Sequence, residues 1–444
     1  MKRFFAVATI VAIVVCALVS CKKDEVIIDR GTFTYSAATP TLTSTGASVA
    51  GGSYTFMVSA EFDWKIVVAE EDEQDDEQAT ETEQSKLITI EYDGYTVTRN
   101  YDGITVDIDA LGALQYREIA IEFSSEDGEI RSTWTTYQYG TGEGTAAIPF
   151  FLSTAVQIIN IAKTVNDGNT QKGVYYQMIC SIDLNGGPTN KWTTIGKSGL
   201  PFKGHFNGGG HEITGLYIDD EDVGYQGLFG YLADNGTIEK LGVRGYIKVK
   251  SSVTGSSSSM SDGSESNYNI GGIVGYNNDG NISYCYNHCE VLCYGVTVGN
   301  FGENVGGIVG YNYGGEIKNC YNTGAITGIN NFVGGITGWN KGEVDNCYNV
   351  GYITATSVLV GGIAGGTNGS SQVNNCYSLT GSVVSGSNND IEIAPDGTIA
   401  GIDGTVMSEG EMRSTWFVAK LGDSAWMADY ATPVNGGYPI FTWQ

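Results

Sequence analysis

The stretch Gly306-Gly307-Ile308-Val309-Gly310-Tyr311-Asn312, with Glu316-Ile317-Lys318-Asn319-Cys320-Tyr321-Asn322 close behind it, decides the fold, because the chain repeats it. Its opening recurs as Gly271-Gly272-Ile273, Gly334-Gly335-Ile336 and Gly361-Gly362-Ile363, and its close as Cys285-Tyr286, Cys347-Tyr348 and Cys376-Tyr377. Steps of 35, 28 and 27 residues between the openings are too long for a helical heptad and suit one coil of a solenoid. Ile282, Ile317, Val344 and Val373 each stand three residues before a repeat cysteine, so apolar positions line up from coil to coil. Gly306 to Asn312, Gly315 to Asn322 and Gly324 to Gly328 read as three short strands, parted by glycine and asparagine corners that tolerate positive φ. Strands joined in this way stack in parallel with right-handed connections, and each face contributes one apolar ladder.

Neighbouring residues on a strand face opposite sides. If the four cysteines point inward as a column of buried thiols, then Tyr286, Tyr321, Tyr348 and Tyr377 form an outward ladder whose rings can lie against sugars, and these four are the candidate ligand-binding residues. The competing reading, in which the tyrosines pack on adjoining turns, is the stronger one, since repeat solenoids need such ladders for stability. Stacked strands lie about 4.8 Å apart, within reach of a disulfide, so bridging between coils stays open. Cys285, Cys289 and Cys293 with His288 among them invite a metal site. Alternation nevertheless puts the three thiols on one face and the imidazole on the other, which favours buried structural cysteines. Asn277, Asn312, Asn340 and Asn368 read as hydrogen-bonded corner ladders.

Outward from the repeats, Thr154 and Gln157 make a capping box, and Ile158, Ile161, Ala162 and Val165 share one helical face: a short helix to cover the open end of the stack. Tyr176, Met178, Cys180, Ile182 and Leu184 alternate as its first strand. At the other end Ser408 and Glu411 make a second capping box, Met412, Trp416, Phe417 and Leu421 follow at helical spacing, and Gly422 is a stop. Caps at both ends hide coil edges that would template aggregation. Ser251 to Asn267, rich in serine, and the additional residues around Cys293 to Glu303 are expected to project as loops.

The run Trp192 to Gly196, the stretch Phe202-Lys203-Gly204-His205-Phe206-Asn207 through Ile213, Gly227 to Tyr231 and the repeats from Ile270 resemble GLUG-repeat proteins, and Asn435 to Gln444 resembles their usual ending. That family has aspartate where Asn207 stands, so any role of the carboxylate is lost here. Ahead of this region Ser53 to Ala60, Trp64 to Val68 and Glu118 to Phe123 read as strands of a β-sandwich, with a turn at Asp127-Gly128. Gly51-Gly52, Trp64, Val106-Asp107-Ile108, Arg117 to Ile121 and Gln138 resemble the BACON domain, an immunoglobulin-like module of Bacteroidetes surface proteins. Glu70 to Glu83 interrupts it with nine acidic residues and neither an apolar period nor calcium-loop spacing, which suits a solvated, disordered insert. Lys2-Arg3 and the apolar run Phe4 to Val19 read as a secretory signal. Leu18-Val19-Ser20-Cys21 resembles the lipobox of bacterial lipoproteins, which implies cleavage before Cys21 and lipid attachment to its sulfur, and Cys21 to Glu25 is similar to the start of Bacteroidetes lipoproteins sent to the outer surface.

The chain is thus read as all-β, in five parts: a lipoprotein signal (1–20), a tether (21–32), an Ig-like β-sandwich (33–140) with its acidic insert (70–83), a right-handed parallel β-helix (141–400) with clean repeats at 270–380 and short capping helices, and a C-terminal cap (401–444). With 23 basic and 50 acidic residues the net charge is -27, which repels nucleic acid and anionic polymers. Between Ser251 and Ile399 the only Lys or Arg residues are Lys318 and Lys341, so neutral glycans or host surface proteins are the expected partners, beside the outer-membrane lipid held through Cys21. A glycosidase needs paired carboxylates and a lyase needs a base with cations. Asp183, the cluster Asp219-Asp220-Glu221-Asp222, Glu316, Glu343 and Asp345 form no such set; Glu316 and Glu343 take equivalent turn positions and read as solvated corners. His205 and His211 flank a glycine-rich turn without a zinc or triad motif. No catalytic residue, metal or cofactor is expected. The reading is a non-enzymatic, surface-anchored binding protein, with a passive scaffold of a surface complex second and a polysaccharide-degrading β-helix third.

Overall fold

The computed structural model describes residues 33–35, 51–60, 63–67, 88–99, 103–111, 116–139, 141–221, 224–251, 268–295, 303–329, 332–355, 359–368, 371–385, 399–402, 404–429 and 433–444. The expected signal, tether and Cys21, the acidic insert 70–83, Asp222 and most of the two excursions (252–267 and 296–302) lie outside these residues. The chain divides into two compact units, Met1–Glu143 and Gly144–Gln444.

In the first unit two antiparallel sheets close on one core. Thr34–Tyr35, Gly52–Ser59, Gly103–Ile108, Tyr95–Arg99 and Ile88–Tyr92 pair in that spatial order, and Trp64–Ile66, Tyr116–Ser125 and Arg131–Tyr139 form the second sheet. Alternation turns Tyr54, Phe56 and Val58 inward from one sheet and Ile119, Ile121 and Phe123 from the other, all of them buried.

The second unit stacks its coils as a parallel β-solenoid. Ile282, Ile317, Val344 and Val373 face one another in consecutive strands, and so do Tyr286, Tyr321, Tyr348 and Tyr377. The thiols of Cys285, Cys320, Cys347 and Cys376 are free and point into the core. Each also meets a carbonyl of the preceding coil, as Cys320 Sγ does with Ile282 at 3.8 Å and Cys347 Sγ with Ile317 at 3.8 Å, so the column is unbridged and its weak donors are occupied.

A coil has more corners than expected. Glu303–Gly306, Val309–Tyr313, Glu316–Lys318, Tyr321–Asn322 and Ile326–Gly328 are five short segments instead of three. Gly306-Gly307-Ile308 therefore opens no strand; Gly306 ends one, and Gly307-Ile308 is the corner to the next. A Cβ on Gly307 would sit 2.2 Å from the Gly335 carbonyl oxygen and 2.5 Å from Asn322 Cγ, so close approach of the next coil excludes any side chain there. Positive φ falls on Gly314 at 80°, in an expected glycine corner, and on the residue before each repeat cysteine: Tyr284 at 54°, Asn319 at 50°, Asn346 at 53° and Asn375 at 50°.

Buried amides stitch these corners. Asn277 Nδ2 donates to Asn312 Oδ1 and Asn312 Nδ2 to Asn340 Oδ1, each at 2.8 Å. The fourth rung is Thr367, which pairs with Asn340, and not Asn368. A second ladder, Asn287 to Asn322 to Asn349, also with 2.8 Å steps, was not foreseen from the sequence.

The stack starts earlier than the alternation from Tyr176 suggests. Phe150–Leu152 already pairs with Tyr175–Met178, and the expected strand from Tyr176 to Leu184 breaks into Tyr175–Met178 and Ile182–Asp183. Helix Ala155–Asn166 keeps its Thr154/Gln157 capping box and buries Ile158, Ile161, Ala162 and Val165. At the far end Thr405–Met407 adds a rung beside Tyr377–Leu379. The expected single helix is two, Glu409–Met412 and Thr415–Leu421, with Trp416 54% exposed and Gly422 ending the second at φ 68°. No helix among the described residues is long and apolar enough to cross a membrane.

Candidate binding site

The tyrosine ladder is enclosed. Tyr286, Tyr321, Tyr348 and Tyr377 do turn away from the thiols, and Tyr286–Tyr321 and Tyr321–Tyr348 stack at 5.1 and 5.0 Å. None is more than 6% exposed, because Met412, Phe417, Trp426 and Phe441 of the C-terminal segment lie over them. The Tyr348 hydroxyl donates to the Pro439 carbonyl, and that of Tyr321 bonds the Gln444 side chain. Burial pushes both phenols well above their usual range. The expectation of an exposed, ligand-binding ladder is therefore corrected: the rings are a packing surface, and the tail is what packs on it.

The outward face of the eight-stranded sheet is open. Each of its strands from Tyr175–Met178 onward turns one apolar residue inward and the residues on either side of it outward: Tyr175 and Gln177, His205 and Asn207, Thr237 and Glu239, Asn281 and Ser283, Glu316 and Lys318, Glu343 and Asp345, Gln372 and Asn374. The first four rungs, with Ala146 and Pro149, line a cleft of about 310 Å³.

Some polar groups in the cleft are held by one another. Tyr175 and His205 stack at 4.1 Å and 19°, His205 Nδ1 meets Thr237 Oγ1 at 3.0 Å, and Asn207 Nδ2 donates to Glu239 Oε1 at 2.8 Å. Burial lowers the pKa of His205, with Glu239 pulling the other way, so its imidazole is neutral at pH 7. The Tyr175 hydroxyl, His205 Nε2, Glu239 Oε2, the Asn281 amide and the Ser283 hydroxyl have no hydrogen-bond partner among the described residues. Such a site can recognise a ligand rich in hydroxyls; with Glu239 as its only carboxylate and no lysine or arginine in its lining, it lacks the paired acids of a glycosidase.

Two further cavities, of about 380 and 490 Å³, flank Trp192 beside helix Ala155–Asn166. Several of their polar groups are spent within the protein: Trp192 Nε1 donates to the Leu228 carbonyl at 3.0 Å and Asn166 Nδ2 to that of Thr194 at 2.9 Å, while Lys191 pairs with Asp220 at 3.7 Å.

The remaining sequence candidates are scattered. Glu316 and Glu343 are not corners; they are outward residues of the open sheet, in register with each other, and Lys318 lies 3.6 Å from Glu316 and 3.7 Å from Asp345. Asp183 accepts the Asn185 backbone N–H at 2.8 Å, and Asp219 and Glu221 pair with Lys248 and Lys250 at 3.5 and 3.1 Å. Cys289 and Cys293 enter the core, whereas His288 faces Thr323 and is pushed down to about 4 by burial. His211 is also lowered by burial. No three or more of the described His, Cys, Asp or Glu residues are grouped to hold a metal. The cleft itself escaped the sequence reading, although its signal was present in the polar-apolar-polar triplets His205-Phe206-Asn207, Thr237-Ile238-Glu239 and Asn281-Ile282-Ser283.

Comparison with known proteins bears on the coils. A protein of Evansella cellulosilytica, provisionally named a Gly-rich membrane protein, is 36% identical over 118 residues, which is 25% of this chain and 13% of that protein. Halomucin of Haloquadratum walsbyi is 26% identical over 162 residues, 35% of this chain and 2% of that protein. The chain therefore spans only a small part of either relative. No solved structure matches. The GLUG motif matches residues 266–288 and 301–327, so the coils that carry Cys285 and Cys320 are GLUG repeats.

Proposed function

We propose that the protein is a non-enzymatic cell-surface lipoprotein, anchored in the outer membrane through Cys21, whose solenoid binds glycans or proteins. The observation that carries this reading is the open cleft on the eight-stranded sheet, lined mostly by polar side chains and with hydrogen-bonding groups left unspent. A relative named as a membrane protein agrees with a surface location. The two antiparallel sheets around one core in the first unit suit an Ig-like stalk of BACON type, and right-handed connections suit the parallel coils. The single carboxylate in the cleft favours binding over hydrolysis.

The test uses the purified chain from Lys22 onward on a glycan array and on a panel of purified host surface proteins. Saturable binding with the ligand recovered intact is expected. Release of shortened polymer overturns the non-enzymatic reading, and absence of binding on both panels overturns the binding role. For the anchor, palmitate labelling in cells should mark the wild type and not Cys21→Ala.

A further inference from the structure

We infer that the cleft on the eight-stranded sheet takes an uncharged glycan, about three sugar rings of it, laid along the stack from the Tyr175–His205 pair toward Asn281 and Ser283. This rests on the binding role proposed above and names its ligand class and site.

The dimensions come from the rungs. Four consecutive strands at about 4.8 Å spacing span about 14 Å along the stack, and the outward residues of each strand form two parallel columns. A volume of about 310 Å³ is at the small end for a ligand site and holds a short oligomer, not a globular partner. Tyr175 and His205, stacked face to face, stand as one block at the end where Ala146 and Pro149 also line the cleft, so a chain extends in the other direction.

The chemistry comes from what is left unspent. Tyr175, Asn281 and Ser283 offer both donors and acceptors, and Glu239 Oε2 an acceptor, none of them bonded to a described residue. A ligand dense in hydroxyls satisfies both kinds, whereas an apolar ligand would leave them buried and unpaired. Charge excludes the acidic glycans. The lining holds no lysine or arginine to receive a carboxylate or sulfate, and the rungs beyond it carry Glu316, Glu343 and Asp345 against Lys318 alone.

A peptide is disfavoured by the same surface. A strand-like peptide docks on a free sheet edge and needs pockets for alternate side chains. Here the ligand meets the face of a sheet whose strands already pair on both sides, and the outward residues of the four rungs are all polar or capped by a polar group.

The experiment is isothermal titration of the chain from Lys22 onward with the tri- and hexasaccharides of cellulose, mannan and xylan, and with trigalacturonate. At least one neutral series should bind, with less than a threefold gain from three rings to six, and trigalacturonate should bind at least tenfold more weakly. Asn281→Ala and Tyr175→Ala should each weaken the neutral ligand at least tenfold with melting unchanged; Asn281 is exposed, so its variant keeps the test free of folding defects. Neutral binding untouched in both variants, or tighter binding of trigalacturonate, overturns the assignment. Should no neutral sugar bind while the protein panel registers binding, this inference fails and the wider binding role stands; silence on both removes both.

Discussion

Glu303 shows how one buried residue sets a pH dependence. It is fully buried at the head of its strand, where the Ser251 hydroxyl donates to Oε1. Burial pushes its carboxyl up to about 7. An acid raised in the folded state contributes stability below its unfolded value, near 4.5, and loses that contribution as pH climbs through 7. The loss is on the order of 3 kcal/mol. Glu303→Gln retains the shape and removes the titration, so urea unfolding should show the variant more stable than wild type by about 2–3 kcal/mol at pH 8 and indistinguishable at pH 4.5. Equal differences at the two pH values would refute this. His288 slopes the opposite way: held near 4, it contributes above pH 6.5 and loses that as pH falls, which is why wild type and variant are compared at the same pH.

At this scale, alternation made the side-chain direction of Cys320 and Tyr321 legible before any coordinates. The role of the glycines was only half legible. Gly306 and Gly307 read as the opening of a strand, whereas they stand at a corner where the backbone of the next coil leaves no room for a Cβ, and left-handed backbone falls on Gly314, at an expected corner, and on Asn319. A sequence lists residues along one coil; the contact that excludes a Cβ comes from the next.

At the scale of elements, the C-terminal segment is the informative case. Its helices, Glu409–Met412 and Thr415–Leu421, are far too short to persist alone, so packing must hold them. Phe441 is the centre of that packing: fully buried, 4.4 Å from Trp426, 4.7 Å from Trp443 and 5.6 Å from Tyr321. Phe441→Ala is expected to cost about 3–5 kcal/mol, and to make Tyr321 and Tyr348 reactive toward tetranitromethane, read by peptide mapping. Persistent protection of both tyrosines with an unchanged melting temperature would show that the segment is held by something else. The sequence disclosed that Met412, Phe417 and Leu421 share an apolar face, and assigned that face to the end of the stack. An amphipathic pattern reports that a surface must be covered and says nothing of where the partner lies, so the tyrosine side went unrecognised as its target. For the same reason the cleft was missed: its residues sit one per column on separate coils, and only the register brings Tyr175, His205, Thr237 and Asn281 together.

At the scale of the molecule, each hydrophobic cluster of described residues lies within a single unit. The cluster from Phe33 to Phe123 belongs to the first, and those built on the thiol column, the tyrosine ladder and the Tyr311–Trp339 pair belong to the second. A unit with its own core folds independently. A solenoid adds a further condition, because its end coils expose unpaired edges unless something covers them. In the second unit the opening end has Phe150–Leu152 and helix Ala155–Asn166, and the closing end has Ile399–Ile402, antiparallel to Ala364–Thr367, and Thr405–Met407. A fragment of residues 144–444 should therefore be monomeric, melt within a few degrees of the solenoid transition of the longer chain, and keep its ligand affinity. A fragment of residues 169–444, which lacks the first strand and the helix, should aggregate, since the edge of Tyr175–Met178 and the core beneath it are then open. Size-exclusion chromatography and thermal unfolding of the two fragments decide the matter: aggregation of both would mean that the first unit is needed for the second to fold, and solubility of both would mean that the helix is not a cap.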